Sequence, residues 1–329
     1  MNDQVMVSIC CITYNHENYI ADAIEGFLNQ KTNFKYEVLI HDDASTDQTQ
    51  QIIKKYEMKY PDIIKPIYQS ENQYSKGIST FSILQKKVSG KYVAICEGDD
   101  YWIDESKLQK QVDYMEQNPE CTFCFHNGYI ENQATTNQMQ PVIPWMPENR
   151  NYFLNQNRKY FAGELQLLGY IPTGSFLFPK RILDNLPKWF FEAPVGDNAL
   201  KLLATSKGYA YYMNDAMCVY RYNVSGSATT NWQAESTNQI IHRCNRFIKM
   251  LDDFNCYTNN QYHNEIELSK LTWEIQKLRL VEDYKELKNK KYKKYLNLLS
   301  GKDKLKAFIL LRFPTLMNYR RKLREHFNM

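Results

Sequence analysis

Residues 5–12 are almost continuously apolar, the pattern of a strand buried on both faces of a parallel sheet. Tyr19, Ile20, Ala23, Ile24, Phe27 and Leu28 then recur at helical spacing, with Asn15 placed to cap that helix. A second strand is expected over 36–41, running into Asp42-Asp43-Ala44. Ser45 and Gln48 have the spacing of a capping box for a helix carrying Ile52, Ile53, Tyr56 and Tyr60. A third strand near 63–69 is made irregular by Pro66, which cannot donate to a ladder. A helix around 78–88 and a strand over 91–96 complete a βαβαβαβ series, so this part reads as α/β.

The pattern continues with a helix over 104–117, stopped by Asn118-Pro119, and a strand over 121–130. Residues 131–150 are polar and contain proline, and are expected to form a long loop over the cleft. Short helices and two strands, 173–179 and 209–221, fill the stretch to 232. From 233 onward the periodicity is helical to the end, with a solvated helical pair expected around 282–294. There is no internal repeat.

The chemistry concentrates at strand ends. Glu97-Gly98-Asp99-Asp100-Tyr101-Trp102 follows the apolar run 91–96, and Gly98 is expected to allow a sharp exit that turns both aspartates toward one cleft. Asp42-Asp43 ends another apolar run. Paired acids at two strand ends predict an acidic cleft at the carboxyl edge of a parallel sheet. Clustered, poorly solvated carboxylates repel one another and are stabilised by a hard divalent cation.

Composition changes the picture little. A chain of 329 residues that is 43% hydrophobic and 24% charged is ordinary for a globular protein. The 14% aromatic content, with 25 tyrosines, suits surfaces that stack sugars or bases, and equally reflects biased codon usage. The eight cysteines are scattered through apolar segments and read as reduced core residues, including the lone pair Cys121 and Cys124. No secretory signal and no run of ~18 apolar residues is visible, so a cytoplasmic location is expected. Charge is uneven: residues 301–329 hold eight Lys or Arg against two acids, a net +6, leaving −2 of the total +4 for the rest.

Several ordered motifs together resemble the inverting family 2 glycosyltransferases of GT-A fold. They are the strand 7–12 with Thr13-Tyr14-Asn15, the turn Asp42-Asp43-Ala44-Ser45-Thr46-Asp47, and Ser89-Gly90-Lys91-Tyr92 leading to Asp99-Asp100. Pro172-Thr173-Gly174-Ser175 and Gly196-Asp197-Asn198 fall where that family keeps acceptor-side motifs. The resemblance covers roughly 5–230 and implies a mostly parallel central sheet flanked by helices. Residues 1–232 would form the transferase domain, with a nucleotide half (1–103) and an acceptor half (104–232), followed by a helical, basic extension (233–329).

The resemblance also implies roles. Thr13, Tyr14, Asn15 and Asp43 would hold base and ribose, a carboxylate being able to accept the uracil N3–H. Asp99 would contact ribose or sugar, and Asp100 would coordinate Mn²⁺ or Mg²⁺. Asp197 would be the general base, its bland alternative being a helix N-cap. Lys76, Glu97, Trp102, Thr173, Gly174, Ser175 and Arg221 are candidate phosphate or acceptor contacts. Two positions depart from the family pattern: Glu97-Gly98 stands before the aspartates, and Asn223 replaces a histidine in Tyr220-Arg221-Tyr222-Asn223. The expected partners are a nucleotide-sugar donor, probed first as a UDP-sugar with dTDP and GDP open, and a glycan or lipid-linked acceptor used in surface polysaccharide synthesis.

The basic tail is read as a peripheral contact with the inner face of an anionic membrane, or as a packed helix or homodimer contact. No nucleic-acid partner is expected. A Rossmann dehydrogenase is disfavoured because Thr13-Tyr14-Asn15-His16 has no glycine, and no P-loop is present. The competing reading is a catalytically degenerate transferase-like scaffold or sugar-binding protein.

Overall fold

The structure is a computed structural model and describes residues 4–134, 139–141, 156–168, 170–283 and 285–292. Strands β1 (Val5–Thr13), β2 (Lys35–Asp42), β3 (Ile64–Tyr68) and β4 (Tyr92–Ile95) pair in parallel in the order β3-β2-β1-β4. Helices α1 (Ile20–Leu28), α2 (Thr49–Lys59) and the short α3 (Thr80–Leu84) connect them. The sheet continues through β9 (Leu177–Pro179), antiparallel to β4, to β6 (Cys121–Asn132), β10 (Tyr209–Tyr222) and the two-residue β5 (Tyr101–Trp102). β6 and β10 are parallel. Two further strands, β7 (Met139–Pro141) and β8 (Arg158–Tyr160), pair antiparallel with β6 and β10.

Alternation places the apolar run of β1 into two cores at once. Val7, Ile9 and Cys11 pack with α1, α2 and α4 (Lys107–Gln117), while Cys10 joins the opposite core. That second core holds residues of α5 (Ala162–Gln166), α6 (Lys188–Glu192) and α7 (Gly196–Thr205). It also takes Phe247, Met250, Leu251 and Phe254 of α9 (Thr237–Tyr257) and Ile266 of α10 (His263–Leu280). The first helices after 232 therefore share the core of the sheet domain.

The α/β expectation and the helical run after 233 hold over the described residues. The irregularity expected at Pro66 is absent: the register of β3 with β2 runs unbroken from Ile64 to Tyr68, on an edge strand, where proline is tolerated. Seven cysteines are buried and Cys256 is exposed. Local expectations differ more. Asn15 adopts a left-handed conformation (φ 55°) and its side chain accepts from Thr46 N–H instead of capping α1. The Ser45–Gln48 box does not form: Ser45 Oγ accepts from Asn15 N–H, and Asp47 accepts from Thr49 N–H at the start of α2. Helix 78–88 shrinks to five residues, α4 starts at Lys107, and 173–175 is a 3-10 turn before β9. The loop expected over 131–150 begins inside β6 and contains β7. The helical pair expected over 282–294 does not form in the described residues up to 289, which hold turns and the 3-10 helix Glu286–Lys288 after α10 ends at Leu280. The tail 301–329 lies outside the described residues.

A buried polar knot pins the amino-terminal half of the sheet. Ser8 Oγ and Ser89 Oγ both donate to Glu37 Oε1 at 2.6 Å, and Lys65 Nζ reaches Glu37 Oε2 at 2.8 Å. A Cβ on Gly90 would sit 2.6 Å from the Ser8 nitrogen. The Ser89-Gly90 motif is therefore a packing device that sets where β4 begins.

Candidate active site

Because β1, β2 and β4 run parallel, Thr13, Asp42-Asp43 and Glu97 leave the sheet along one edge. Glu97, Asp99, Asp100 and Asp197 line a single cavity of about 1170 Å³ there, together with Thr173, Tyr170, Tyr220 and Lys201. Asp197 lies a hundred residues from the Asp99-Asp100 turn in sequence and arrives on the first turn of α7.

The acids sense one another. Burial pushes the Glu97 carboxyl up to about 7; the Thr173 hydroxyl, which donates to Glu97 Oε2, opposes this, and the charges of Asp99 and Asp197 add to it. Burial, then Asp99 and Glu97, raise Asp100 well above the carboxylate range, against the pull of Arg221. Tyr170 is raised by burial and by Tyr220, Asp100, Glu97 and Asp197, which marks these groups as neighbours. Such a set is disfavoured as a group of free anions.

Arg221 builds the aspartate turn from behind. Its backbone N–H donates to Asp100 Oδ1 at 2.8 Å and its Nη1 to the Asp99 carbonyl at 3.1 Å. The guanidinium also pairs with Asp22 and Glu131 and lies over the Tyr101 ring at 4.4 Å. The residue is only 7% exposed, so the structure assigns its charge to this knot and not to a substrate phosphate.

Gly98 is required by close approach: a Cβ would meet Thr13 Oγ1 at 2.7 Å and His16 Nδ1 at 3.1 Å. Its φ lies outside the left-handed region, so the strand exit needs no special backbone conformation. Thr13 Oγ1 and His16 Nδ1 are buried without a hydrogen-bond partner, and His16 Nε2 stands 3.9 Å from Asp99 Oδ2. Asp43 is buried and accepts from the backbone N–H groups of Gln73 at 2.8 Å and Tyr74 at 3.0 Å, tying down the turn Tyr74–Lys76. Tyr14 is 43% exposed beside this rim.

Several expected contacts fall elsewhere. Trp102 is buried, donating its Nε1–H to the Gly174 carbonyl at 2.8 Å and packing edge-on against Phe27. It follows the aspartates because Tyr101-Trp102 forms β5, not because it faces a substrate. Gly174 and Ser175 are buried beneath the cavity, the Ser175 hydroxyl donating to the Pro172 carbonyl. Lys76 is on the surface and paired with Glu71. Thr173 and Glu97 do line the cavity. Asp197 is not the N-cap of α7, which is Val195 in extended conformation.

Residues the motifs passed over also gather here. Lys201 is almost fully buried with Nζ 3.9 Å from Asp197 Oδ2; burial lowers its ammonium and Asp197 counters that. Their i, i+4 spacing was visible in the sequence. His16 stood within a quoted motif, but its approach to Asp99 depends on the β1–β4 pairing. Tyr220 opened the quoted Tyr220–Asn223 motif but was given no role, and Tyr170, its ring centroid 4.9 Å away, gave no signal at all.

A divalent cation suits this donor set. Glu97, Asp99 and Asp100 offer only oxygens and carry mutual repulsion that a cation would relieve. Among the described residues no three acidic, histidine or cysteine side chains already converge as a metal cage. Ligands from outside the protein would therefore complete the coordination shell, as is usual for Mg²⁺.

The comparisons bear on the fold and the family. A structure of S. aureus TarS residues 1–349 in complex with UDP-GlcNAc superposes with a TM-score of 0.58 over 89% of this chain and 79% of that one, at 15% identity, sharing its fold. An uncharacterized protein of Mycobacterium bovis is 47% identical over 224 residues, and the match spans 67% of this chain but 60% of the relative. A Bacillus subtilis protein, provisionally named a teichuronic acid biosynthesis glycosyltransferase, is 28% identical over 74% of this chain and 89% of its own. The family model described as glycosyl transferase family 2 matches residues 8–184, more than half of the chain. That span carries Thr13, Asp43, Glu97, Asp99, Asp100 and Thr173, and with it the chain belongs to glycosyl transferase family 2.

Proposed function

We propose that this protein is an inverting glycosyltransferase that moves a sugar from a nucleoside-diphosphate donor, taken as a UDP-sugar, to a hydroxyl of a glycan or lipid-linked saccharide. The observation that carries the reading is the meeting of Asp197 with Glu97, Asp99 and Asp100 around one cavity. The B. subtilis relative's name supports a place in surface polysaccharide synthesis, and the UDP-GlcNAc in the TarS structure supports the donor class.

On this reading the acceptor hydroxyl oxygen attacks the anomeric carbon while its proton passes to the Asp197 carboxylate. The bond from that carbon to the diphosphate oxygen breaks, and its electron pair leaves with the nucleoside diphosphate. A single displacement inverts the anomeric centre. Lys201 holds Asp197 in position, and Thr173 fixes Glu97. Asp100, with Asp99 or Glu97, would hold Mn²⁺ or Mg²⁺, which when bound neutralises charge on the leaving diphosphate. Thr13, Tyr14, Asn15 and Asp43 form the proposed base and ribose rim. Asp43 acts there through the turn it anchors as much as through its own oxygens.

Residues 1–232 are proposed as the transferase unit, with a nucleotide half (1–103) and an acceptor half (104–232). Residues 233–329 are the extension, whose basic end is proposed to touch an anionic membrane from the cytoplasmic side. No described helix is long and apolar enough to cross one.

Calorimetric titration with UDP, GDP and dTDP, each with and without Mn²⁺, tests the reading. UDP should bind tightest and only Mn²⁺-dependently, and Asp100→Ala should remove the metal dependence without unfolding the chain. Equal affinity in mutant and wild type under both conditions would refute the assignment.

A further inference from the structure

The carboxylates make up only a small part of the cavity lining. Much of the rest comes from α6, α9 and α10, and is apolar: Phe191, Met250, Leu251 and Leu268 line it beside Phe247 and Trp273. The last two stack face to face, with centroids 3.8 Å apart and planes within 4°. Phe191 is 53% exposed and Ile78, also in the lining, 42%. Gly196, next to Asp197, has no heavy atom within 4 Å of where a Cβ would stand, so space is open beside the proposed base. The cavity, at about 1170 Å³, exceeds the roughly 300–1,000 Å³ of a pocket for one small ligand.

Resting on the transferase reading of the carboxylates, we infer that the apolar lining seats the non-sugar part of the acceptor: the acceptor is an amphiphile that offers a hydroxyl to Asp197 and lays a hydrocarbon chain along α9 and α10. A second glycan segment is a poor occupant. Its hydroxyls would lose water against Phe191 and Leu268, the more accessible part of this wall, which return no hydrogen bonds. The nucleobase is already assigned to the proposed rim of Thr13, Tyr14, Asn15 and Asp43. A hydrocarbon chain gives up no hydrogen bonds by the transfer, and the gain with every methylene buried offsets the freedom it loses. Continuity with the acids sets the orientation, polar head toward Asp197 and chain toward the stacked Phe247–Trp273 pair. These helices lie beyond residue 184, outside the segment matched by the family model.

The test uses binding to the full chain, with UDP and Mn²⁺ present, of n-octyl β-D-glucoside below its micelle threshold against methyl β-D-glucoside. The octyl compound should bind at least tenfold tighter. Thr272→Trp, which fills the cavity from an exposed position of α10, should abolish that preference while UDP affinity is unchanged, and Leu268→Glu should do the same. Equal binding of the two glycosides, or a preference untouched by both variants, would overturn the inference. Because UDP binding is read separately, loss of the nucleotide reading would register as a different result.

Discussion

At the scale of single residues, Asp197 separates catalysis from structure. The cap of α7 is Val195, so Asp197→Asn deletes no cap; it removes a first-turn charge worth about 0.3–1 kcal/mol and the counter-charge of the buried Lys201, 3.9 Å away. Turnover per folded molecule should fall at least ~10²-fold with UDP affinity kept, while the melting temperature drops through the unpaired Lys201. Retained turnover would assign the proton elsewhere. Glu37 makes a second, independent prediction. Burial works against its ionisation, but Lys65, Ser8 and Ser89 outweigh it and hold the carboxyl below its ordinary value of 4.5. A depressed acid stabilises the fold above its unfolded-state value, and that contribution is lost as pH falls through the folded one. The stability advantage of wild type over Glu37→Gln should therefore shrink as pH drops below about 4.5. Denaturant melts at neutral pH and near pH 3 check it; a constant advantage would place the knot's energy in something other than the charge.

Among elements, the decisive join is between β10, β6, α1 and the aspartate turn, and Arg221 makes it. Arg221→Met keeps much of the buried stem but leaves Glu131 and Asp22 without their cation. Breaking a fully buried pair costs roughly 3–5 kcal/mol. Asp22 is half-exposed, so about 2–3 kcal/mol is expected here. The variant should melt earlier and also bind UDP with Mn²⁺ more weakly, because the Asp99 carbonyl loses its guanidinium donor, although the backbone N–H to Asp100 is kept. Loss of stability with nucleotide binding intact would show that the turn holds itself. The same join accounts for Tyr101-Trp102: β5 pairs with Cys218 and Val219, and this fixes where the aspartates stand.

For the whole molecule, charge is the property that acts at a distance. The net +6 of residues 301–329 sits on a body of −2, so an anionic surface should attract one part of the chain and not the rest. Each basic residue near such a surface contributes roughly 1 kcal/mol, and the attraction is screened by salt. Co-sedimentation with vesicles containing phosphatidylserine, but not with phosphatidylcholine alone, is expected, and it should weaken as salt rises. Equal partitioning to both vesicle types would leave the tail a packing or self-association element.

What the sequence determined by itself was whatever depends on neighbours in the chain. Two-sided apolar runs marked β1, β2 and β4, and paired acids at their ends marked the cleft, because periodicity and strand polarity are local properties. Asp99, Asp100 and Glu97 were found this way, whereas Thr173 and Asp197 were marked by the resemblance of their segments to the family's acceptor-side motifs. What only the tertiary structure decided was direction and partnership. Trp102, Gly174, Ser175 and Arg221 stood beside the right motifs, yet their side chains or backbone serve the core and the turn, since adjacent strand positions face opposite ways. The Ser45–Gln48 box and the Asn15 cap failed because each residue found a stronger partner across the β1–β2 edge. The apolar wall of α9 and α10 was equally hidden: a helical stripe in the sequence tells that a face is buried, and only packing tells whether it meets another helix or an open cavity.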